Sequence, residues 1–254
     1  MGKTNSYIGV FDSGVGGISV LRQLRKALPN ERYLYFGDSA NAPYGTRPVE
    51  EIQALTLAAA EKLVQQDIKA LVIACNTATS AALEALQQTY PDLIVVGIEP
   101  AVAVAANQFP GGHVGVMATP ATLKGARFLA RKAQYENLCK ITPLPAPGLM
   151  ELVEAGKADS PEADALLHTI LDPCAPALDG LVLGCTHYPF TENAVRRVLG
   201  ENITLFDGAV ITAQLTKEAL TDRNLLHEGP GEVIFQNSLP GDRMLTLSRQ
   251  LAGL

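Results

Sequence analysis

An internal duplication limits the folds that this chain can adopt. Three segments recur in the same order, at offsets of 106, 110 and 108 residues. The matching pairs are IGV at 8–10 with VGV at 114–116, ALVIACNT at 70–77 with GLVLGCTH at 180–187, and EPAV at 99–102 with DGAV at 207–210. Matches that keep one order and nearly one spacing predict two copies of a single structural unit.

Each copy has the sequence pattern of an α/β unit. Short runs of Val, Ile and Leu alternate with segments of helical periodicity. The runs are apolar on both faces, which is typical of parallel strands covered by helices. The predicted strands are 7–11, 33–36, 70–74, 93–98, 113–118, 140–144, 180–184 and 203–206. Predicted helices include 49–66 and 161–171, and a last edge strand at 232–235 precedes a helix at about 242–251.

The predicted fold class is α/β, with two pseudo-symmetric lobes that each contain a parallel sheet of about four strands flanked by helices. The repeat boundaries assign residues 1–98 plus 207–254 to the first lobe and 99–206 to the second. Open parallel sheets bind their ligands at the carboxyl ends of the strands. We therefore expect the active site in the cleft between the two lobes.

Composition excludes several classes of protein. The 254 residues are 47% hydrophobic and carry a formal net charge of −6 without a basic cluster, so neither a disordered chain nor a nucleic-acid partner is expected. No secretory h-region follows the N-terminal residues, and no apolar stretch approaches the roughly 20 residues of a membrane span. The four cysteines, at 75, 139, 174 and 185, match no zinc or redox spacing. Free thiols in a reducing cytoplasm are expected.

Polar residues follow the repeated strands, and a cysteine is among them in each copy. The segments are Asp12-Ser13-Gly14, Cys75-Asn76-Thr77, Thr119 and Cys185-Thr186-His187. Racemisation of an amino acid needs a base on one face of the α-carbon and an acid on the other. Thiols suit both roles, because an ordinary cysteine pKa of about 8.5 makes thiol and thiolate accessible near neutral pH. Two thiols facing one cleft therefore favour a racemase.

Five blocks of the sequence resemble the motif set of the cofactor-independent glutamate racemases. They are DSGVGG at 12–17, PYG at 43–45, ACNTA at 74–78, ATPAT at 118–122 and GCTHYP at 184–189. The resemblance runs from residue 9 to about 210 and covers most of the chain. It implies interconversion of L- and D-glutamate, a supply of D-glutamate for peptidoglycan, and a reaction that uses neither pyridoxal phosphate nor a metal.

The resemblance also implies roles for individual residues. Cys75 is expected to deprotonate the D-enantiomer with help from Asp12, and Cys185 the L-enantiomer with help from His187. The substrate-binding candidates belong to the same motifs or follow the predicted strands, where hydroxyl, amide and backbone N–H groups can hold carboxylates. They are Ser13, Pro43, Tyr44, Gly45, Asn76, Thr77, Thr119, Thr122 and Thr186.

Some of these assignments have structural alternatives. Glu154 is a further catalytic candidate, but Glu151 lies in the same segment, where some family members have a proline, and the choice between the two carboxylates stays open. Asp12 could instead cap the following helix. His187 could be a core histidine with satisfied hydrogen bonds, and the Pro43-Tyr44 pair could only shape a turn.

Other functions stay open as well. An aspartate racemase would share the two-cysteine logic, and a binding protein without catalysis would tolerate serine at both cysteines. A dehydrogenase is suggested by the glycine turn and by Asp38, but Ser19 breaks the GxGxxG pattern counted from Gly14. A metal hydrolase is disfavoured because Cys185-x-His187 has no further ligands at a usual spacing. The expected partner is a small molecule, and a homodimer is left open as the assembly.

Overall fold

Every strand pairing in the described part of the chain is parallel, and the strands form two sheets. The structure is a computed structural model that describes residues 3–254, so the first two residues of the N-terminal stretch considered above lie outside it. Two units can be distinguished. One runs up to Glu99 and includes Ala209–Leu254, and the other is Pro100–Gly208.

The first unit contains a five-stranded sheet and five helices. Its strands are β1 (Tyr7–Asp12), β2 (Arg32–Gly37), β3 (Ile68–Ile73), β4 (Ile94–Gly97) and β9 (Glu232–Asn237). Its helices are α1 (Ile18–Ala27), α2 (Val49–Val64), α3 (Asn76–Thr89), α10 (Ala209–Asp222) and α11 (Arg243–Ala252). Short 3-10 turns cover Lys3–Asn5, Ser39–Asn41 and Tyr44–Thr46.

The second unit contains a four-stranded sheet and six helices. Its strands are β5 (His113–Ala118), β6 (Lys140–Pro145), β7 (Gly180–Leu183) and β8 (Thr204–Phe206). Its helices are α4 (Val102–Gln108), α5 (Pro120–Lys124), α6 (Ala126–Tyr135), α7 (Leu149–Glu154), α8 (Pro161–Leu171) and α9 (Glu192–Leu199). Further 3-10 turns cover Ala175–Ala177 and Tyr188–Thr191.

The two sheets repeat one strand order, which explains the duplication in the sequence. The first sheet reads β4-β3-β1-β2-β9, and the second, from its corresponding edge, reads β8-β7-β5-β6. Strands β1 to β4 therefore correspond to β5 to β8, and the matched segments lie in corresponding strands or directly after them. In each sheet the strand order reverses between two central strands, β1 and β3 or β5 and β7. Such a reversal leaves a crevice at the carboxyl ends of the strands, where ligands of open α/β sheets bind.

The predicted fold class is confirmed, while several predicted bounds are wrong. The first sheet has five strands rather than about four, because the predicted edge strand 232–235 joins it beside β2 as β9. Strand 70–74 runs instead over Ile68–Ile73, and its start is missed because the charged Lys69 is buried within it. Strands 93–98, 180–184 and 203–206 are shorter than predicted, and helix 49–66 ends at Val64. Strand 113–118 and helix 161–171 have the predicted bounds.

Buried side chains cover both faces of the second sheet, as expected for parallel strands. One core packs β5 against α4 and α6, with Val102, Val116 and Phe128 among its members. The core on the other face packs Met117 and Leu181 against α7, α8 and α9. In the first unit, α10 and α11 each contact α1, and α2 packs against α3. None of the helices within residues 3–254 has both the length and the apolar character needed to cross a membrane.

Candidate active site

The carboxyl end of β1 presents a fully buried carboxylate, that of Asp12. Its Oδ1 accepts a hydrogen bond of 2.8 Å from the N–H of Gly14. The following helix α1 has Gly17 at its N-cap and no side-chain cap, so the alternative interpretation of Asp12 as the N-cap is wrong. A Cβ on Gly17 would lie 2.7 Å from the Cβ of Asp12. Glycine is therefore required there, because it lets the helix start directly against this carboxylate.

Cys75 follows β3, the strand next to β1, and forms the N-cap of α3. Its buried Sγ accepts a hydrogen bond of 3.4 Å from the N–H of Ala78, and it also lies 3.4 Å from Oγ of Ser13. Asn76 and Thr77 form the first positions of α3, the former half-buried and the latter buried. The free N–H groups and dipole of a helix N-terminus favour a negative charge at this position.

A short turn that carries Tyr44 packs beside these groups. Pro43 follows a cis peptide bond, and Tyr44 and Gly45 are buried. The Tyr44 hydroxyl donates a hydrogen bond of 2.7 Å to Oδ2 of Asp38. Burial, followed by this hydrogen bond, raises the pKa of Tyr44 far above its ordinary value, and negative charge on Cys75 or Asp12 would raise it further. The tyrosine therefore stays protonated as a hydrogen-bond donor.

The second unit presents a chain of three side chains at the corresponding place. Cys185 follows β7 and is buried, with Sγ 3.8 Å from Nδ1 of His187. The other ring nitrogen of His187, Nε2, lies 3.1 Å from Oε1 of Glu154 at the end of α7. Glu151, one turn earlier, is exposed. The geometry thus connects the thiol to Glu154 through the imidazole, in the way that a carboxylate orients the histidine of a nucleophile and base pair.

Threonines follow both β5 and its neighbour β7. Thr119 follows β5 and caps α5, where its Oγ1 accepts 3.2 Å from the N–H of Thr122 and donates 3.0 Å to the Thr122 hydroxyl. Thr186 is buried between the cysteine and the histidine. Gly184 allows close contact between the two strand ends, because a Cβ there would lie 2.9 Å from the Cβ of Ala118. The hydroxyls of β5 and the thiol of β7 therefore share one sheet edge.

Two residues of this region escaped the sequence argument. The sequence suggests Asp38 only as part of a dehydrogenase pattern, whereas its carboxylate accepts hydrogen bonds from Tyr44 and Asn41, which removes the support for a dehydrogenase. Tyr188 is fully buried, and its hydroxyl donates 3.0 Å to the carbonyl of Ala146. A polar residue two positions after the predicted strand 33–36 is the available signal for Asp38. Within residues 3–254 no group of three His, Cys, Asp or Glu side chains is arranged to hold a metal ion.

The chain contains two copies of one α/β unit. Each copy carries a cysteine near the point where the strand order of its sheet reverses. This arrangement defines a class of proteins in which each of two duplicated units contributes one thiol. The family model for Asp/Glu/hydantoin racemase matches residues 8–216. The chain belongs to this family, which confirms the predicted membership.

Individual relatives agree with this assignment. A glutamate racemase of Clostridium novyi is 43% identical over 260 residues, which cover 100% of both chains. The structure of glutamate racemase isoform RacE1 from Bacillus anthracis is similar with a TM-score of 0.89 and 32% identity, over 99% of this chain and 95% of that one. Glutamate racemase from Francisella tularensis, solved in complex with D-glutamate, has a TM-score of 0.86 and 26% identity, over 99% and 95%.

Proposed function

We propose that this protein interconverts L- and D-glutamate, with Cys75 and Cys185 as the two acid–base groups at the α-carbon. The observation that carries the proposal is the equivalent position of the two thiols, each two residues past the end of the strand at the reversal of its sheet. Each thiol is buried and has polar neighbours from its own unit. The similarity to glutamate racemases supports glutamate as the substrate.

Cys75 removes the α-proton of D-glutamate in this proposal. The N-terminus of α3 favours its thiolate, and the contact with Ser13 holds the sulfur in place. Asp12 assists from the end of the neighbouring strand. When the reaction runs from L-glutamate, Cys75 is the thiol that delivers the proton.

Cys185 removes the α-proton of L-glutamate in the same scheme. His187 lies within reach of its sulfur and is oriented by Glu154, so the imidazole can take up and return the thiol proton. The two units differ here, because Cys75 is the N-cap of a long helix while Cys185 has a histidine neighbour. Each thiol thus has its own means of alternating between its two protonation states.

The glutamate carboxylates accept hydrogen bonds from hydroxyl, side-chain amide and backbone N–H groups at the strand ends, and the amino group donates to hydroxyl and amide oxygens there. The residues proposed for this task are Ser13, Asn76, Thr77, Thr119, Thr122 and Thr186, together with the turn of Pro43, Tyr44 and Gly45. In this proposal residues 1–98 with 207–254, and residues 99–206, act as two lobes that each supply one thiol.

The cellular setting is part of the proposal. The enzyme works in the cytoplasm, supplies D-glutamate for peptidoglycan, and needs neither pyridoxal phosphate nor a metal. The small-molecule substrate is its main partner, and a homodimer is the assembly to test by sedimentation. Racemisation should persist in EDTA and after carbonyl reagents, and a loss that pyridoxal phosphate or a divalent metal restores would contradict this part.

Circular dichroism of L-glutamate, L-aspartate and L-alanine incubated with the pure protein tests the proposed function. We expect the glutamate signal to decay to zero, with the other two nearly unchanged. Cys75→Ser and Cys185→Ser should each abolish most of this activity, whereas the matched controls Cys139→Ser and Cys174→Ser should keep it. Decay of aspartate instead would make the protein an aspartate racemase, and full activity of either Cys75→Ser or Cys185→Ser would refute the two-thiol mechanism.

A further inference from the structure

The proposed mechanism leaves the buried carboxylate of Asp38, at the end of β2, without a role. Asp38 follows β2 directly and is only 3% exposed. Its Oδ2 accepts hydrogen bonds from the Tyr44 hydroxyl at 2.7 Å and from Nδ2 of Asn41 at 3.0 Å. The same Nδ2 lies 3.1 Å from its Oδ1. Burying a carboxyl group is costly unless it is hydrogen-bonded, so these contacts hold the loop firmly to it.

Asp38 is also fixed to the end of the strand that carries Asp12. Its backbone N–H donates a hydrogen bond of 2.9 Å to the carbonyl of Asp12. Asp38 therefore joins two parts of the first unit, with its backbone N–H bound to the carboxyl end of β1 and its carboxylate bound to the turn around Tyr44. A displacement of the turn therefore shifts the end of β1, and a displacement of the strand end shifts the turn.

Tyr44 links the Asp38 carboxylate to the two elements that flank Cys75. Its ring centroid lies 6.3 Å from that of Phe11 in β1, and its turn contacts α3, which begins directly after Cys75. Phe11 lies in β1, which pairs with β3, and Cys75 lies between β3 and α3, so the tyrosine packs on two elements that flank the thiol. The hydroxyl is committed to Asp38 as donor, so the tyrosine contributes to the thiol environment through the position of its ring.

We propose that Asp38 is a positioning residue for Cys75, acting through the Tyr44 hydroxyl to hold the tyrosine ring and its turn against β1 and α3, the elements that flank the thiol. The role in turnover rests on the proposed racemase function, but the positioning of the thiol does not. Asp38 itself moves no proton in this account. Releasing the ring opens access to Cys75 and leaves Cys185, in the other unit, as it was.

The test measures alkylation of the two thiols within the same molecules. Wild-type protein, Asp38→Asn, Tyr44→Phe and the double variant are treated with limiting iodoacetamide without glutamate, and mass spectrometry follows each cysteine. We expect both single variants to raise the ratio of Cys75 to Cys185 alkylation rates by about threefold or more, the effect of weakening one buried hydrogen bond. The double variant should add little to either single one, because both changes break the same contact.

Tyr33→Phe is the matched control. Tyr33 is equally buried, and its hydroxyl donates to the carbonyls of Leu24 and Leu28, so its loss costs stability without touching the Cys75 environment. The alkylation ratio of this variant should equal that of wild type. An unchanged ratio in Tyr44→Phe, or additive effects in the double variant, would overturn the proposal. Tyr44→Phe decides the matter if Asp38→Asn does not fold.

The racemase assay adds a readout that separates the two proposals. If the protein racemises glutamate, Asp38→Asn should lower kcat/KM by about tenfold, the cost of exchanging a hydrogen bond to a charged group for a neutral one, and Tyr33→Phe should leave it unchanged. A wild-type protein without racemase activity would refute the proposed function alone, since the alkylation ratio would still report how Asp38 holds the Cys75 environment. A raised alkylation ratio with unchanged kcat/KM would limit Asp38 to access and contradict its role in turnover.

Discussion

The contact between His187 and Glu154 can be tested by removing only the charge of the carboxylate. Glu154→Gln keeps the size of the side chain and a hydrogen-bonding oxygen, while the 3.1 Å contact to Nε2 loses its charge. The histidine side chain is 2% exposed and that of the glutamate 20%, so the contact is largely shielded from water. Loss of the charge on residue 154 should therefore weaken the exchange of a proton between the His187 imidazole and Cys185.

The expected magnitude follows from the kind of hydrogen bond. A bond to a charged group contributes about 1.5–3 kcal/mol and a neutral one about 0.5–1.5 kcal/mol, so the exchange costs roughly 1–1.5 kcal/mol. That difference lowers kcat/KM by about 5- to 13-fold. Because the enantiomers have equal free energies, the decrease must be the same in both directions. The α-deuterium isotope effect should rise with L-glutamate, whose proton goes to Cys185.

Circular dichroism gives the rates, and Glu151→Gln on the same helix α7 is the matched control. Glu151 is exposed, so its variant should stay within about twofold of wild type, as expected for a surface substitution. A tenfold loss in Glu151→Gln with normal rates in Glu154→Gln would refute the assignment of the orienting carboxylate to Glu154. Equal losses in both variants would show that the net charge of α7 matters rather than the contact.

Two further predictions concern stability. Lys69→Met should lower the free energy of unfolding, measured in urea, by about 3–5 kcal/mol, because it leaves Glu31 buried without its ion-pair partner at 2.6 Å. Lys157→Met removes an exposed ion pair and should lower it by less than about 1 kcal/mol. Similar losses in the two variants would contradict this prediction. Burial lowers the pKa of His113 below its ordinary 6.5, so the unfolded chain takes up the proton first and stability falls as the pH drops through about 6.5. His113→Gln should lose less stability than wild type between pH 7.5 and 5.5, and equal losses would contradict the assignment.

The regular elements could be predicted where local sequence and burial agree. Strand β5 is apolar on both faces and stands between glycines and a threonine cap, so its bounds are clear in the sequence. Helix α8 begins with a Ser160 cap and Pro161. The predicted start of strand β3 is wrong because Lys69 is charged, and a charged residue is not expected in a buried strand. Only the fold brings in the buried Glu31, whose ion pair offsets the cost of burying the lysine. Local pattern therefore fails where a distant partner changes the cost of burial.

The candidate site divides in the same way. Both cysteines were predicted to follow strands, and they do, because an apolar run that ends in a polar residue is visible locally. The choice between Glu151 and Glu154 could not be made from sequence, since residues three apart lie on one helix face and only the location of His187 separates them. The Asp38–Tyr44 contact spans an irregular loop, where no periodicity indicates which side chains meet.

The isotopic composition of product and substrate in heavy water tests the two-thiol account most directly. A thiol that completes the reaction from the opposite face has exchanged with solvent before the substrate arrives. Starting from L-glutamate, early D-glutamate should therefore carry deuterium at the α-carbon while the remaining L-glutamate stays largely protiated, as followed by NMR and chiral separation. Equal early deuterium in both enantiomers would mean that one group serves both faces, and would contradict the roles assigned to Cys75 and Cys185.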